Sequence, residues 1–378
     1  MWSGWDMYRF FSGGVAAVLV VSGLLVPGSA EAAEQQFTPK RELVVACKNN
    51  VRDSALIART LQRSAEGDEI VFDGTCLVSQ TIPLLENRQY RGRSRTGTVI
   101  QQADGANLDA IFASDSYLDN SPTTGLSTAL RSMTIKANSE NNPDAHDAVV
   151  LRSWQTVLED VQISDSARHG VRLTNLSANG TPLENTQVNG RLAQLQINRS
   201  GGNGIFVEDT GNSVTDWQLQ DSYIASTGDA GIRMQNAAGW MIRGNHIYGV
   251  EGGPALWAER LYGSSITDNY IEDFVGTGIL GTVQGGSATT ITNNRIFQDD
   301  GEAGTFLHVA GNYGDAKVAV TGNTIRGEGA GIGLDYQKGN ADSLEVASTG
   351  NLVTEVTTQR QVGEGVTVTE GMLASLTG

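Results

Sequence analysis

The sequence predicts an all-β protein, a right-handed parallel β-helix (a solenoid) with a short N-terminal capping helix. Two observations predict the solenoid: a motif that recurs roughly every 25 residues, and apolar residues that alternate over short runs with Gly, Asn and Asp at the breaks. Alternation with a period of two is typical of strands. Each repeat has room for three short strands and three turns, so it is interpreted as one coil of the solenoid.

The recurring motif is an Asn, any residue, and then a branched aliphatic residue that we call the anchor. Its copies begin at Asn245, Asn269, Asn294, Asn323 and Asn351. Earlier coils lack the Asn and keep only the anchors Ile163, Ile197 and Ile224. We expect each Asn to occupy a left-handed bend between two strands and to hydrogen-bond to its copies in neighbouring coils. A Gly before the next strand, as at Gly204 and Gly231, supplies positive φ or space.

The chain begins with a predicted export signal, residues 1–33. Arg9 is the only early basic residue, an apolar run follows it, and Ala30-Glu31-Ala32 offers small residues to a signal peptidase. An uncleaved membrane anchor is the alternative. Export predicts a secreted or periplasmic protein without membrane contact after cleavage. In such a compartment we expect a disulfide between the only cysteines, Cys47 and Cys76, with two free thiols as the alternative.

The rest of the chain divides into three predicted parts: a linker and N-terminal cap at 34–69, the parallel β-helix at 70–355 and a C-terminal tail at 356–378. In the cap, Asp53 is expected to be the N-cap of an amphipathic helix that covers the open end of the solenoid. Two polar excursions, at 115–128 and 176–189, interrupt the coils. Loops of this kind carry specificity, because the coils must keep their register and the turns need not.

The chain is acidic, with a formal net charge of −16 at pH 7. This charge argues against nucleic acid or an anionic membrane as a partner. It also disfavours a polyanionic substrate unless calcium bridges the charges. The sequence contains no convincing metal-binding motif, so no metal or other cofactor is expected, with calcium as an option if the protein is a lyase. The sequence leaves open whether the chain forms a homo-oligomer.

These features resemble the pectate-lyase-like superfamily of right-handed parallel β-helices over roughly residues 70–355. The resemblance implies that the working surface is the sheet that begins after the Gly of each coil, together with the turns that lead into it. If the residue after this Gly points inward, the next points outward. The predicted outward row then contains Arg172, Phe206, Glu208, Arg233, Gln235, Trp257, Glu259, Leu280, Phe306, His308 and Asp335.

The predicted row and the turns before it supply the candidate site residues. An aromatic ring can stack on a sugar, guanidinium groups can bind carboxylates or hydroxyls, and carboxylates can act as acid or base. We predict catalytic roles for Asp147, His169, Glu208, Asp229 and Arg233. We predict substrate binding by His146, Arg172, Trp257, Glu259 and His308. For each residue, a charge or ring that serves only solubility is the alternative.

One pair of motifs has a closer resemblance. His146-Asp147 opens one strand and Arg168-His169-Gly170 opens the next, which is similar to two successive motifs of polygalacturonases. The resemblance implies that Asp147 is a catalytic carboxylate and that His169 supports it. It is partial, because His146 stands in place of an Asp and Arg168 in place of a Gly.

The sequence therefore favours an exported carbohydrate-active enzyme that cleaves glycosidic bonds of a polysaccharide or oligosaccharide. One alternative is a uronate polysaccharide lyase or epimerase, in which Arg172 or Arg233 neutralises the uronate carboxylate and His169 accepts the proton. The other alternative is a non-catalytic surface or spike-like protein that binds glycans.

Overall fold

A computed structural model of the chain describes residues 39–299 and 304–371. The predicted export signal lies outside the described residues. Within them, parallel strands stack coil upon coil as a β-helix, which confirms the predicted fold class. None of the helices in this part of the chain is long and apolar enough to cross a membrane.

Three parallel sheets form the walls of the β-helix. Sheet 1 carries most of the predicted site residues, and its strands are Ile82–Leu84, Ala110–Ser114, Asp147–Leu151, Val171–Thr174, Ile205–Glu208, Ile232–Met234, Leu256–Tyr262, Thr277–Gln284, Thr305–Tyr313, Ile332–Gln337 and Thr358–Val362. Ala237–Ala238 pairs beside Leu256–Tyr262. A separate pair of short strands joins Gln187–Val188 to Val214–Thr215.

Sheets 2 and 3 share two long strands, Ala129–Lys136 and Val157–Ser166, which bend from one sheet into the other. The other strands of sheet 2 are Glu42–Ala46, Glu69–Asp73, Gln89–Gly92, Arg191–Ala193, Gln218–Gln220, Met241–Arg243, Ser265–Thr267, Thr289–Thr292, Asp315–Thr321, Ser343–Thr349 and Val366–Thr369. Those of sheet 3 are Thr75–Val78, Val99–Gln102, Gln196–Ser200, Tyr223–Thr227, His246–Val250, Tyr270–Phe274, Arg295–Phe297, Thr324–Arg326 and Leu352–Thr354. The described helices are Asp53–Arg63, Asp115–Leu118 and the 3-10 turn Ser139–Asn141.

The anchors form one continuous column inside sheet 3. Each pairs in register with the anchor of the next coil, through Ile163, Ile197, Ile224, Ile247, Ile271, Ile296, Ile325 and Val353. From Ile163 to Ile325 these side chains are buried. Burying an aliphatic side chain of this size contributes about 1.5–3 kcal/mol, so the column is a main source of stability.

The predicted Asn ladder is confirmed, but the predicted backbone conformation is wrong. The side-chain amide of Asn245 donates to Oδ1 of Asn269 at 3.0 Å, and the same bond recurs from Asn269 to Asn294 and onward to Asn351. The left-handed residues are those that precede each Asn: Gly244, Asp268, Asn293, Gly322 and Gly350. The preceding residue makes the bend, which leaves the Asn free to direct its amide into the buried ladder.

The Gly residues directly before the sheet 1 strands Ile205–Glu208 and Ile232–Met234 provide space. A Cβ on Gly204 would lie 2.4 Å from Cγ2 of Ile224, and one on Gly231 would lie 2.6 Å from Cγ2 of Ile247. Neither glycine has positive φ. The anchor of sheet 3 therefore packs directly against the backbone that begins sheet 1.

The capping helix Asp53–Arg63 is present, but Asp53 is not its N-cap. The N-cap is Arg52, which makes no side-chain capping bond. The buried carboxylate of Asp53 instead accepts hydrogen bonds from the backbone N–H groups of Lys48, Asn50 and Leu77. A disulfide between Cys47 and Cys76 connects the same region. Both features join the cap to the first coils.

The β-helix begins earlier and ends later than the predicted range of 70–355. Glu42–Ala46 pairs with Glu69–Asp73 at the N-terminal end. At the other end, Thr358–Val362 and Val366–Thr369 pair with the preceding strands of sheets 1 and 2. The described part of the predicted tail therefore continues the coils.

Replacing Asn269 with Ala should lower the free energy of unfolding by about 1–3 kcal/mol, because it leaves buried partners of the amide unsatisfied. The carbonyl of Ile242 and the N–H of Asn245 would each lose a hydrogen bond. Denaturant unfolding followed by circular dichroism measures the change. The matched control Asn340→Ala alters an exposed Asn and should change stability little. Equal stability of the two variants would contradict a stabilising ladder.

Candidate functional site

The outward residues of sheet 1 form a row along the β-helix axis, and Glu208, Gln235 and Glu259 form a second column two residues further along the chain. Consecutive strands pair Arg172, Phe206, Arg233, Trp257, Leu280, His308 and Asp335 in register. Neighbouring strands in a sheet are about 4.8 Å apart, so each side chain contacts or approaches the next. The fold therefore brings residues that are far apart in the sequence into one stripe.

Phe306 does not belong to this row, and its predicted outward position is wrong. Thr305 pairs with Thr277, so Phe306 lies opposite Gly278 rather than opposite an outward residue. Its side chain is 1% exposed and its ring centroid lies 5.7 Å from that of Phe274 in the core. The predicted position equates Gly304 with Gly278, whereas Gly304 lies opposite Gly276, so the observed register differs by two residues.

A buried carboxylate lies at one end of the row. Asp147 opens its strand, and its side chain is 0% exposed. Arg168 donates to both of its oxygens, at 2.9 and 2.7 Å. Nε of Arg172 lies 2.7 Å from Oδ2, but its N–H is not aimed at that oxygen, so this contact is an ion pair without a hydrogen bond. Asp147 is therefore enclosed by two guanidinium groups.

The charge state of Asp147 follows from these contacts. Burial opposes ionisation, but the hydrogen bond from Arg168 and the charge of Arg172 outweigh it and lower the pKa of the Asp147 carboxyl. Arg172 also donates to Glu208 at 3.1 Å, so one guanidinium bridges the two carboxylates. A nucleophilic water between Asp147 and Glu208 would have to displace it.

His169 begins the next coil, and its ring is partly buried against Phe206, with ring centroids 4.9 Å apart. The backbone N–H of Asn203 donates to Nδ1 at 3.0 Å, which places the proton of the neutral ring on Nε2. Burial lowers the pKa of His169 to about 4, although the charges of Asp147 and Asp229 oppose the shift. At neutral pH the ring is therefore an uncharged donor, which does not suit it to act as a base.

The centre of the row is a stack of aromatic and guanidinium groups. The guanidinium carbon of Arg233 lies 4.2 Å from the ring centroid of Trp257 and 5.6 Å from that of Phe206. Glu259 accepts a hydrogen bond from Nε of Arg233 at 2.8 Å. Cation–π contact and the ion pair together hold Arg233 in one orientation.

The remaining predicted residues occupy three separate places. His308 lies in the row, with Nδ1 2.7 Å from Oδ2 of Asp335. His146 is exposed at the turn and pairs with Asp109 at 3.1 Å, so it does not join the Asp147 cluster. Asp229 lies at the turn before the row, near enough to His169 for its charge to act on the ring.

Three contributors to the site were not predicted. Tyr117, from the excursion at 115–128, accepts a hydrogen bond from Arg172 at 2.8 Å, and its ring lies under the guanidinium. Thr174 donates to Glu208 at 2.7 Å. Asn203 orients His169. The sequence offers one feature that could have identified Tyr117, since it is an aromatic residue in an otherwise polar excursion. It offers no such feature for Thr174 or Asn203.

The row does not contain a metal site of the usual kind. In the described residues there is no group of three or more His, Cys, Asp or Glu side chains that could hold a metal ion. The carboxylates on this face instead contact Arg or His: Asp147 with Arg168 and Arg172, Glu208 with Arg172, Glu259 with Arg233 and Asp335 with His308. The arrangement can bind a polar ligand through oriented cations and ring faces.

Comparisons with known proteins agree with this fold. Residues 183–353 match the family model described as a right handed beta helix region. The A-module of a mannuronan C-5 epimerase from Azotobacter vinelandii superposes with a TM-score of 0.56 at 13% identity, covering 87% of this chain and 100% of that chain. A surface protein and adhesin of Streptococcus pneumoniae gives a TM-score of 0.57 at 14% identity, covering 84% and 96%.

A third solved structure, the Dettilon tailspike protein, has a TM-score of 0.52 at 10% identity and covers 85% of this chain and 68% of that chain. No curated protein gives a sequence match. At these identities the structural similarity concerns the fold alone. The chain therefore has the right-handed parallel β-helix fold, as its sequence predicts.

The low pKa of His169 predicts a stability that depends on pH. Its pKa is about 4 in the folded chain, against an ordinary value of 6.5, so unfolding takes up a proton between these values. The free energy of unfolding should therefore fall by on the order of 2–3 kcal/mol as the pH is lowered from above 6.5 toward 4. Denaturant unfolding at a series of pH values measures this loss.

The variant His169→Asn keeps an acceptor for the N–H of Asn203 and removes the titrating ring, so its stability should fall less over the same pH range. The exposed His146 is the matched control, and His146→Asn should retain the pH dependence of the unaltered protein. If His169→Asn followed the same curve as the unaltered protein, the assigned pKa of His169 would be wrong.

Proposed function

We propose that the row on sheet 1 binds a polysaccharide or oligosaccharide, with Phe206, Arg233 and Trp257 at its centre. The observation that carries this proposal is the stack in which Arg233 lies 4.2 Å from the ring centroid of Trp257 and 2.8 Å from Glu259. Rings beside fixed polar groups suit a sugar, because it has apolar C–H faces and a hydroxyl rim.

The charges of the row support a binding role. Arg172 and Arg233 are each paired with carboxylates, so neither is an unopposed cation that would select a polyanion. Their N–H groups and the carboxylate oxygens remain arranged to exchange hydrogen bonds with hydroxyls. These pairs also restrain the side chains before a ligand arrives, which lowers the entropy cost of binding.

Two further observations are consistent with the proposal. The epimerase and adhesin among the similar structures carry names that refer to a polysaccharide and to a surface protein, although the similarity itself concerns only the fold. The disulfide between Cys47 and Cys76 suits an oxidising compartment, which supports the proposal that the protein is exported.

Replacing Trp257 with Ala should weaken saccharide binding about tenfold, or about 1.4 kcal/mol, since the ring supplies both a stacking face and the support of Arg233. Affinity gel electrophoresis with a panel of neutral and uronic polysaccharides measures the change. The control Trp154→Ala removes a half-exposed Trp outside the row and should bind within twofold of the unaltered protein. Equal losses in both variants, or no retardation by any polysaccharide, would exclude this face as the site.

Glycosidic cleavage is a second candidate function, favoured by the positions of two carboxylates. Glu208 and Glu259 lie two residues after Phe206 and Trp257. Their strands are two coils apart, with the strand of Arg233 between them. Two coils correspond to about 9.6 Å, and inverting glycosidases separate their carboxyls by about 6.5–9.5 Å. Each carboxylate is held by an Arg, Glu208 by Arg172 and Glu259 by Arg233, so a substrate would have to displace that contact before either group could act on a glycosidic oxygen. Binding is for that reason the first proposal.

If the row cleaves glycosidic bonds, the protein should release new reducing ends from at least one polysaccharide of the panel, and Glu208→Gln and Glu259→Gln should each lower that rate by a factor of 100 or more. Gln337→Ala, on the same face but away from the two carboxylates, is the control and should retain the rate. Absorbance near 235 nm is followed in parallel, because elimination raises it and hydrolysis does not. Without any new reducing ends the cleavage candidate fails, while the binding proposal stands.

A further inference from the structure

A second surface with aromatic side chains in register lies on sheet 3. We call it the aromatic strip, and it consists of Tyr223, His246, Tyr248, Tyr270 and Phe297. Register pairs Tyr223 with His246 and His246 with Tyr270 in the column before the anchors. Tyr248 and Phe297 lie in the column after the anchors. Because the anchors point into the core, both columns point outward.

The rings of the strip form a chain of contacts across the coils. Ring centroids are 5.0 Å apart between Tyr223 and His246, 4.7 Å between His246 and Tyr270, and 5.4 Å between Tyr270 and Phe297. Tyr223 and Tyr248 remain 36% and 37% exposed. A group of exposed large rings is uncommon on a monomer surface and marks a site of interaction.

One carboxylate holds the centre of the strip. Glu272 receives a hydrogen bond from the hydroxyl of Tyr270 at 2.8 Å, and its other oxygen lies 2.7 Å from Nε2 of His246. Burial and the bond to Glu272 raise the pKa of Tyr270 to about 12, so its hydroxyl stays a donor at neutral pH. The rings are therefore fixed in orientation before any ligand binds.

A polar groove of about 530 Å³ adjoins the strip at Tyr223 and His246. Its lining includes Gln194, Gln196 and Asp221, together with Arg95 and Asp160, which pair with each other at 3.2 Å. The amide and carboxylate oxygens offer acceptors, and the one Arg is already neutralised. Rings on one side and hydrogen-bonding groups on the other therefore meet at a single concave surface.

We propose that the aromatic strip and the polar groove form a binding site for a neutral pyranose chain, separate from the row on sheet 1. Pyranose rings present C–H faces to aromatic side chains and hydroxyl donors to carboxylate and amide oxygens. The net charge of −16 and the carboxylates of Asp221 and Glu272 disfavour a uronate chain, and the cation on the strip, Arg295, already lies 4.8 Å from the ring centroid of Tyr270. The core of an interface between two copies of the chain would be depleted of charged residues, whereas the carboxylate of Glu272 lies at the centre of this surface.

The test uses the Trp257→Ala protein, so that binding at sheet 1 does not obscure binding at the strip. Isothermal titration calorimetry is performed with neutral hexasaccharides of β-1,4-, β-1,3- and α-1,4-linked glucose and of β-1,4-linked mannose, and with a hexamer of β-1,4-linked mannuronate. We expect at least one neutral hexasaccharide to bind, and the mannuronate hexamer to bind at least tenfold more weakly than it does.

In the Trp257→Ala protein, the further changes Tyr223→Ala and Tyr248→Ala, made together, should weaken that binding at least tenfold. Adding Tyr313→Ala is the matched control, because Tyr313 is 70% exposed at the end of a sheet 1 strand, and it should leave the affinity within twofold. Adding Tyr223→Phe and Tyr248→Phe keeps the rings and should retain most of the affinity. Circular dichroism confirms folding, and if the Ala variant does not fold, Glu272→Gln should lower affinity at least threefold in its place.

Three results would overturn the proposal: no neutral hexasaccharide binds the Trp257→Ala protein, the Tyr223 and Tyr248 variants bind as their parent does, or analytical ultracentrifugation shows that these variants convert an oligomer to a monomer. The last result would assign the strip to an interface between copies of the chain. Failure of the proposal for sheet 1 is distinguishable, since the unaltered protein and the Trp257→Ala protein would then bind saccharides equally.

Discussion

The register of the coils is the constraint on which the rest of the structure depends. The Asn side chains from Asn245 to Asn323 are buried, so their amides must find partners inside the protein. Each finds them in the Asn of the next coil, and a shift of one residue would break these bonds and turn the anchors outward. The same register fixes the outward residues of sheets 1 and 3. The surface rows are thus a consequence of a polar ladder inside the core.

The fixed positions of the charged residues on sheet 1 require the burial of a carboxylate, which has a free-energy cost. Burying Asp147 is unfavourable by itself, and it is tolerated because Arg168 and Arg172 contact both of its oxygens. A third cation, Arg152, is fully buried and donates to backbone carbonyls of Ser116 and Thr181, in the two excursions. It thereby holds the loop that brings Tyr117 to Arg172. A general acid needs a neighbourhood that retains its proton, whereas this one lowers the pKa of Asp147 and holds its side chain in one orientation.

The sequence was sufficient to predict the features that depend only on the repeat period. Alternation and the recurring motif predicted the anchors, the ladder and most of the row, because these follow from one coil stacking on the next. The predictions from the sequence were wrong where two neighbouring residues could each have taken the same role in a turn. The distance from Gly304 predicts an outward Phe306, but Gly304 lies opposite Gly276 rather than Gly278 in the register. The motif suits a left-handed bend at the Asn or at the residue before it, and the chain bends at the residue before it.

The details of the site were less predictable, since they depend on contacts between distant segments. The sequence marks Tyr117 only as an aromatic residue in a polar excursion and does not place it beside Arg172. It also does not indicate that the N–H of Asn203 selects the tautomer of His169. Register does explain one relation between the two surfaces. Tyr223 precedes Arg233 in one coil, and His246 precedes Trp257 in the next. The aromatic strip and the stack therefore lie on the same coils, separated by a single turn. A polymer with many copies of one unit could engage both, and its avidity would then exceed the affinity of either surface.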